Sequence, residues 1–277
     1  MHPWIDAALT PVDRIVGSAG IGNAFVPFYT GPLAFLGRRR KRYVARDVTK
    51  SLSADLRVRA GLFEGLRYST AEAKTSAFLP KMLGTYEAEV AAVLAKLLET
   101  RRYKCCIDVG SAEGYYAIGV ARAQPSCEVY AVDNDLSALE LCKSNAAANG
   151  CLDRVHLKGH ISAADLATFA LPEPSLIISD CEGFCKQLFT EQNVSNLKSC
   201  DLIIEVHDFV DPTISEYLKR LFQNTHRLQV VSSIPDSDKA IVHNVPEISR
   251  YDSETRAYLL SEFRPCIMSW FIFTPIA

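Results

Sequence analysis

The sequence lacks an excess of charge of either sign. Its 30 lysines and arginines face 32 aspartates and glutamates, for a formal net charge of −2, so nothing draws the chain as a whole to nucleic acid. It has no Cys-x-x-Cys pair and no regular spacing among its nine cysteines, an odd number. That excludes a disulfide framework and points to free thiols in a reducing, cytoplasmic setting. Internal repeats and low-complexity segments are absent too. What remains is an ordinary globular composition, 48% hydrophobic and 22% charged, long enough for one α/β domain and an N-terminal extension.

The longest stretch without charge, Ile15 to Gly37, contains Pro27 and Pro32 and is diluted by Ser18, Asn23 and Thr30. Asp6 and Asp13 precede it, unlike the basic start of a signal peptide. These features favour a loop beside a packed hairpin over a membrane span. The run Arg38-Arg39-Arg40-Lys41-Arg42 that follows offers a peripheral contact to anionic lipid at the inner face of a membrane. Asn193-Val194-Ser195 has the form of a glycosylation acceptor, which the cysteine usage argues against.

The segment CIDVGSAEGYYAIGVAR, Cys106 to Arg122, reads as an apolar strand that ends in an acid, turns through Gly110 and Gly114 and enters a helix. A helix start reached through glycines presents unpaired N–H groups to a ligand. EVYAVDND, Glu128 to Asp135, reads as a second strand whose acid, Asp133, lies 19 residues after Gly114. An acid there is placed to accept hydrogen bonds from the ribose of an adenosine cofactor. The loop also lacks the central glycine of Gly-x-Gly-x-x-Gly. Ala112 stands in its place and Glu113 follows, a combination that disfavours a pyrophosphate and therefore NAD. S-adenosylmethionine, with a sulfonium and an ammonium in place of phosphate, suits the loop better.

Downstream of Cys105 the alternation of patterns predicts strands at 105–109, 128–133, 154–159, 176–180 and 201–207, then a C-terminal pair ending in CIMSWFIFTP, Cys266 to Pro275. Helices are expected at 114–123, 135–149, 162–170, 183–190 and 212–224. Upstream, Lys81 to Tyr103 has helical periodicity, with Thr85 as a candidate N-cap ahead of Glu87 and Glu89. The expected fold is α/β: a Rossmann-like, doubly wound, mostly parallel sheet of seven strands over 81–277, after a helical or irregular extension over 1–80.

Ligands in such sheets sit beyond the carboxyl ends of the strands. The fourth strand ends in Asp180 and Glu182, and the fifth carries Glu205, His207 and Asp208. His207 has the intrinsic pKa of a general base near neutrality, and Glu182 is placed to orient it or a substrate hydroxyl. A competing reading gives Asp180, with some of Glu205, His207 and Asp208, to a magnesium ion. His156, His160, His226 and His243 lack such company.

The succession IDVGSAEGYYA (Ile107 to Ala117), SDCEGF (Ser179 to Phe184) and IIEVHDF (Ile203 to Phe209) resembles class I S-adenosylmethionine-dependent methyltransferases of the FkbM type. GLFEGLRY (Gly61 to Tyr68) and PKMLGTYEAEV (Pro80 to Val90) are similar to the segment preceding the core in bacterial members. The resemblance runs from about Gly61 to the end. It implies a cofactor site in which Asp108, Gly110, Ser111, Gly114 and Tyr115 shape the methionine side and Asp133 and Asn134 hold the ribose. His160 and Ile161 would enclose the adenine, and Asp180 would lie near the transferring methyl or the amine. Tyr86 and Glu87 would close over the cofactor. The implied reaction is O-methylation of a hydroxyl on a sugar, glycan or secondary metabolite, with Asp180, Glu182 and His207 on the catalytic side, no metal assigned, and a homodimer as an option. Ser111 and Cys181 depart from the family pattern without threatening the cofactor site, whereas Cys185 replaces the commoner acid after Glu-Gly and bears on the acceptor side. Rival readings are methylation of RNA or protein, against which stands SDCE where an Asn-Pro-Pro-Tyr motif would be, and a cofactor-binding accessory protein without catalysis.

Overall fold

The computed structural model describes residues 26–74 and 77–276, with residues 26–36 described by backbone alone. The chain divides into two compact units, Met1–Val48 and Thr49–Ala277. The described part of the first unit is helical. Helix α1 (Val26–Leu52) starts one residue before Pro27, so the loop and hairpin expected up to Gly37 are replaced by helix from Val26 onward. Proline is tolerated in a first turn because its missing N–H has no partner there anyway. The earlier part of the uncharged segment lies outside the described residues. Arg38, Arg39, Arg40 and Arg42 are exposed on α1. No helix among the described residues is long and apolar enough to cross a membrane.

The second unit is built on one seven-stranded sheet in the order β3-β2-β1-β4-β5-β7-β6. Its strands are β1 (Cys105–Val109), β2 (Glu128–Val132), β3 (Val155–Lys158), β4 (Ser175–Ser179), β5 (Cys200–Val206), β6 (His226–Ser232) and β7 (Ser269–Pro275). β1 to β5 pair in parallel, and β7 enters antiparallel between β5 and β6. Every residue of β1, β4 and β5 is buried, as expected where helices cover both faces of a parallel sheet. The edge strands β3 and β6 are partly exposed. The result is the Rossmann-like, mostly parallel architecture read from the sequence.

The connecting helices follow local signals. Helix α2 (Phe78–Leu83) ends at Gly84, which takes a left-handed conformation with φ 77°, and α3 (Ala88–Thr100) begins afresh. The single helix expected from Lys81 is therefore broken. Thr85 is not its cap, because its hydroxyl points back to the Pro80 carbonyl. A side chain at Gly84 would collide with the Ala60 carbonyl, which fixes the break. After β1, α4 (Tyr115–Ala123) leads to β2. Asp135 then caps α5 (Leu136–Ala148) by accepting from the N–H groups of Ser137 and Ala138. Ser162 and Asp165 form a capping box on α6 (Ala163–Thr168). Two short helices follow β4, α7 (Cys185–Leu188) and α8 (Val194–Leu197). Between them Asn193 is buried and donates to the carbonyls of Leu188 and Ala163, so the Asn-x-Ser triplet serves packing. Helix α9 (Ile214–Phe222) joins β5 to β6. Helices α10 (Asp236–Val242) and α11 (Ser253–Leu259), which the pattern along the chain does not announce, form an insertion between β6 and β7.

Residues ahead of the sheet clamp its first helix. The Phe63 ring lies where a Cβ on Gly119 would approach within 2.4 Å, and it meets the rings of Tyr115 and Tyr116 edge-on. Below it, Glu113 is fully buried and its carboxylate takes the Lys81 ammonium at 2.6 Å, where the Lys81 side chain is 3% exposed. The Lys74 N–H and the Tyr68 hydroxyl donate to the same carboxylate. Removing one member of a buried pair leaves an uncompensated charge, at a cost of about 3–5 kcal/mol. Lys81→Met is expected to lower unfolding stability by roughly that amount in chemical denaturation, and the double variant Lys81→Met/Glu113→Leu to recover most of it. An unchanged denaturation midpoint for the single variant would show that the pair does not hold α2 to the loop.

Candidate active site

In an open α/β sheet the binding crevice opens where the strand order reverses. Here that point lies between β1 and β4, which are neighbours in the sheet. The residues just past their ends, Gly110 and Asp180, line both of two adjoining cavities. Gly110 is at φ 82°, and a Cβ on it would lie 1.8 Å from the Asp180 carbonyl oxygen. Only glycine permits that approach, so the glycine read from the sequence is a steric requirement of the site.

The larger cavity, about 600 Å³, is lined by Asp133, Asn134, His160, Ile161, Asp180 and Glu182, among others. The smaller, about 40 Å³, is lined by Lys81, Tyr86, Asp108, Ser111, Tyr115 and Tyr116 together with neighbouring backbone. The structure thus brings together nearly all the cofactor residues expected from the sequence. Asp133 is fixed by accepting from the Ala112 N–H at 2.8 Å and from the Asp135 N–H at 2.8 Å, which leaves further lone pairs for ribose hydroxyls. Asp108 accepts from the Ala117 N–H at 2.9 Å. The Ser111 hydroxyl is buried without a hydrogen-bond partner among the described residues. It is therefore a polar group of the cavity wall left for a ligand.

Three expected residues stand elsewhere. Gly114 lies outside both linings, packed at the start of α4 against Cys142 and Ile118. Glu87 lies behind the wall, accepting from the Tyr116 hydroxyl. Glu113 faces away, into its pair with Lys81. It does not confront the ligand, so its charge does not disfavour a pyrophosphate in the way the loop sequence suggests.

On the catalytic side the His207 Nε2 lies 3.5 Å from Asp180, 3.4 Å from Glu182 and 3.7 Å from Glu205. His207 is buried and stands behind the cavity wall, whereas the Glu182 carboxylate lines it. Burial disfavours the imidazolium, but the neighbouring Glu182 and Glu205 carboxyl groups outweigh it, so the His207 pKa is raised. The Glu182 pKa is lowered by the His207 contact. Asp208 is engaged elsewhere, capping α9 through the Ser215 N–H at 3.0 Å.

The sequence gives no hint of what holds this cluster. Arg264, in the stretch after α11, pairs with Glu87 at 2.6 Å, with Glu262 at 2.9 Å and with Glu205. Lys239 on α10 pairs with Glu262 in turn. One guanidinium thus joins α3, β5 and the insertion. Its fork of donors suits this better than an ammonium would.

The acids nevertheless outnumber the cations. Burial pushes Asp108, Asp180 and Glu87 up to about 7 and Glu205 up to about 8. Glu205 is raised further by the neighbouring Asp180 charge. A divalent cation does not fit this set. Asp180, Glu205 and His207 offer ligand atoms within 4.8 Å of one another, but Glu205 is already paired with the Arg264 guanidinium. A cationic, non-metallic ligand does fit: the sulfonium and ammonium of S-adenosylmethionine would meet the carboxylates facing the cavities.

The raised pKa values have a consequence for stability. In the unfolded chain these carboxyls titrate near 4. Between about pH 4.5 and 7 the native state binds more protons than the unfolded state, so stability falls as pH rises through that window. The denaturation midpoint of the ligand-free protein is expected to be higher at pH 5 than at pH 7. A midpoint that climbs across the window would contradict the burial of these acids.

Residues 88–171 match the family model of the methyltransferase small domain. No curated protein matches the sequence. Among solved structures, the chain is similar to precorrin-6Y C5,15-methyltransferase from Geobacter metallireducens, at 12% identity over 68% of this chain and 88% of that one, with a TM-score of 0.46. It is also similar to TrmN from Thermus thermophilus, at 16% identity over 71% and 49% of the respective chains and a TM-score of 0.43. A third is an S-adenosylmethionine-dependent O-methyltransferase from Thermotoga maritima, at 16% identity over 67% and 64%, with a TM-score of 0.42. The segment matched by the family model runs from α3 to just past α6. It includes the glycine loop, Asp133 and the Gly159–Ile161 turn of the cavity wall. The chain thus carries a methyltransferase small-domain segment on a Rossmann-like sheet.

Proposed function

We propose that the enzyme methylates a hydroxyl group of a sugar, glycan or secondary metabolite, as FkbM-type methyltransferases do. The observation that carries this reading is the close pair of Glu182 and His207, 3.4 Å apart, beside Asp180, which lines both cavities. When bound, S-adenosylmethionine would supply an electrophilic methyl group for displacement by the acceptor oxygen. Asp180 would hold the cationic end of the cofactor. Glu182, at the cavity wall, receives the hydroxyl proton, and His207 behind it orients and electrostatically supports that carboxylate. The roles thus differ from the sequence-based expectation, in which His207 is the base and Glu182 its support. An alcohol needs such help more than a phenol does, because its proton is held more tightly.

The larger cavity supports a neutral acceptor. Beyond Asp133 and Asp180, which serve the cofactor, its lining holds Glu182 and no lysine or arginine, a surface without attraction for nucleic-acid phosphate. Phe184, on the same wall and 65% exposed, offers an aromatic face on which a sugar ring or an apolar metabolite can rest while water is kept out.

Two sets of variants test the assignment. Asp133→Ala is expected to abolish S-adenosylmethionine binding in calorimetry while the melting curve stays cooperative; retained binding would remove Asp133 from the ribose site. Glu182→Gln is expected to leave cofactor affinity near that of the parent and to lower transfer of labelled methyl to sugar and phenolic hydroxyls by about 100-fold, the scale of lost proton transfer. His207→Gln should shift the pH profile of that transfer, which a purely structural role would not do. Unchanged turnover in Glu182→Gln would overturn the proton route.

A further inference from the structure

Two cysteines meet in the wall of the larger cavity, and no step of methyl transfer uses them. Cys181 lies half-buried on the cavity surface, one residue past Asp180. Cys185 lies beneath it at the start of α7, fully buried in the hydrophobic core. Their sulfurs are 3.5 Å apart. The turn between them accounts for the approach. Glu182 and Gly183 take successive left-handed conformations, at φ 50° and 92°, and the Phe184 N–H closes the loop on the Cys181 carbonyl at 3.0 Å. The chain is thereby curled so that side chains four residues apart converge. A disulfide requires a sulfur separation of about 2.05 Å, so the two atoms have roughly 1.5 Å to close.

We propose that Cys181 and Cys185 form a reversible thiol–disulfide couple, oxidised by peroxide, that switches the cofactor site. The two thiols have different surroundings. The Cys181 thiol is pushed below the ordinary thiol range, first by the Cys185 hydrogen bond, against burial, and further by Ser179 and His207. The Cys185 thiol is pushed up by the same hydrogen bond and by burial. An accessible thiolate above a buried protonated partner is the arrangement of an attacking and a resolving cysteine. The six other buried cysteines all have thiols pushed up, first by burial, so they stay inert.

The chemistry balances. The Cys181 thiolate attacks one peroxide oxygen; the sulfur–oxygen bond forms, the oxygen–oxygen bond breaks, and the departing hydroxide takes a proton to become water. The Cys185 thiol then attacks the Cys181 sulfenic acid. The disulfide forms, the sulfur–oxygen bond breaks, and a second water leaves with the Cys185 proton. Two thiols are oxidised by two electrons and one peroxide is reduced to two waters; an external dithiol reverses the change. Drawing Cys181 toward the core displaces its chain neighbours Asp180 and Glu182. The Asp180 carbonyl already fills the space beside Gly110, so that displacement reaches the cofactor loop. The disulfide itself does not depend on the acceptor proposed above; only its effect on binding depends on the cavity being the cofactor site.

The test uses the full chain carrying Cys266→Ser, which removes the exposed thiol. After treatment with equimolar hydrogen peroxide, intact-mass and peptide mapping are expected to show loss of two hydrogens and a linked Cys181–Cys185 peptide, reversed by dithiothreitol. Cys181→Ser and, separately, Cys185→Ala should each abolish the link, with melting curves confirming that both variants fold. Calorimetry on the oxidised protein should show loss of S-adenosylmethionine affinity that reduction restores. Addition of oxygen to Cys181 with Cys185 still free, a mass loss that survives either substitution, or full affinity in the linked protein would overturn the proposal.

Discussion

The burial of several carboxyl groups at one end of the sheet, with Arg264 as their shared cation, is the constraint on which the site depends. Asp180 and Glu205 stand at the ends of neighbouring strands, and Glu87 and Glu262 approach from either side. Their desolvation is costly, and a single guanidinium that contacts Glu87, Glu205 and Glu262 offsets only part of it. The remaining imbalance raises the pKa values of four acids to about 7 or 8. A protein optimised for stability alone would replace these groups with apolar side chains. Their presence makes sense if a positively charged ligand completes the neutralisation, and S-adenosylmethionine carries its charge at the sulfur and the amine.

The rest of the architecture serves this arrangement. β1 and β4 are neighbours in parallel register, and the glycine at the end of one lets the backbone at the end of the other approach to the limit of contact. The cofactor loop and the catalytic turn are therefore mechanically joined. The β6–β7 insertion, peripheral by its place in the chain, delivers Arg264 and anchors it through Lys239 and Glu262. Tyr116 and Glu87 relay that anchor to α3 and α4. Glu182 stays at the surface of the cavity with His207 buried behind it, so the proposed proton transfer lies at the rim while the paired charges are buried.

The sheet was legible because its central strands are short apolar runs that end in acids or glycine, a signal needing no tertiary context. The observed strands fall within one or two residues of the expected ones. The cavity lining was legible for the same reason: Asp133, Asn134, His160 and Ile161 sit at strand ends, where the fold forces a ligand. What escaped depended on partners far along the chain. Glu113 resembles a loop acid until Lys81, 32 residues away, is seen to bury it. Arg264 lies in an unpatterned stretch, and its bond to Glu87 spans 177 positions. The insertion helices are seven residues each, too short for periodicity to announce them. Asp208, at a strand end like the others, caps α9 instead, a use that position alone does not distinguish from ligation. The break at Gly84 was masked because apolar periodicity continues on both sides of it.

The acids with raised pKa values mark where the cofactor's positive charge is expected to sit. Calorimetric titration of S-adenosylmethionine at pH 7, repeated in buffers of different ionisation enthalpy, reads that directly, with NAD titrated in parallel. Binding of S-adenosylmethionine with net release of protons, and no binding of NAD, is the expected result. Binding without proton release, or equal binding of NAD, would contradict it.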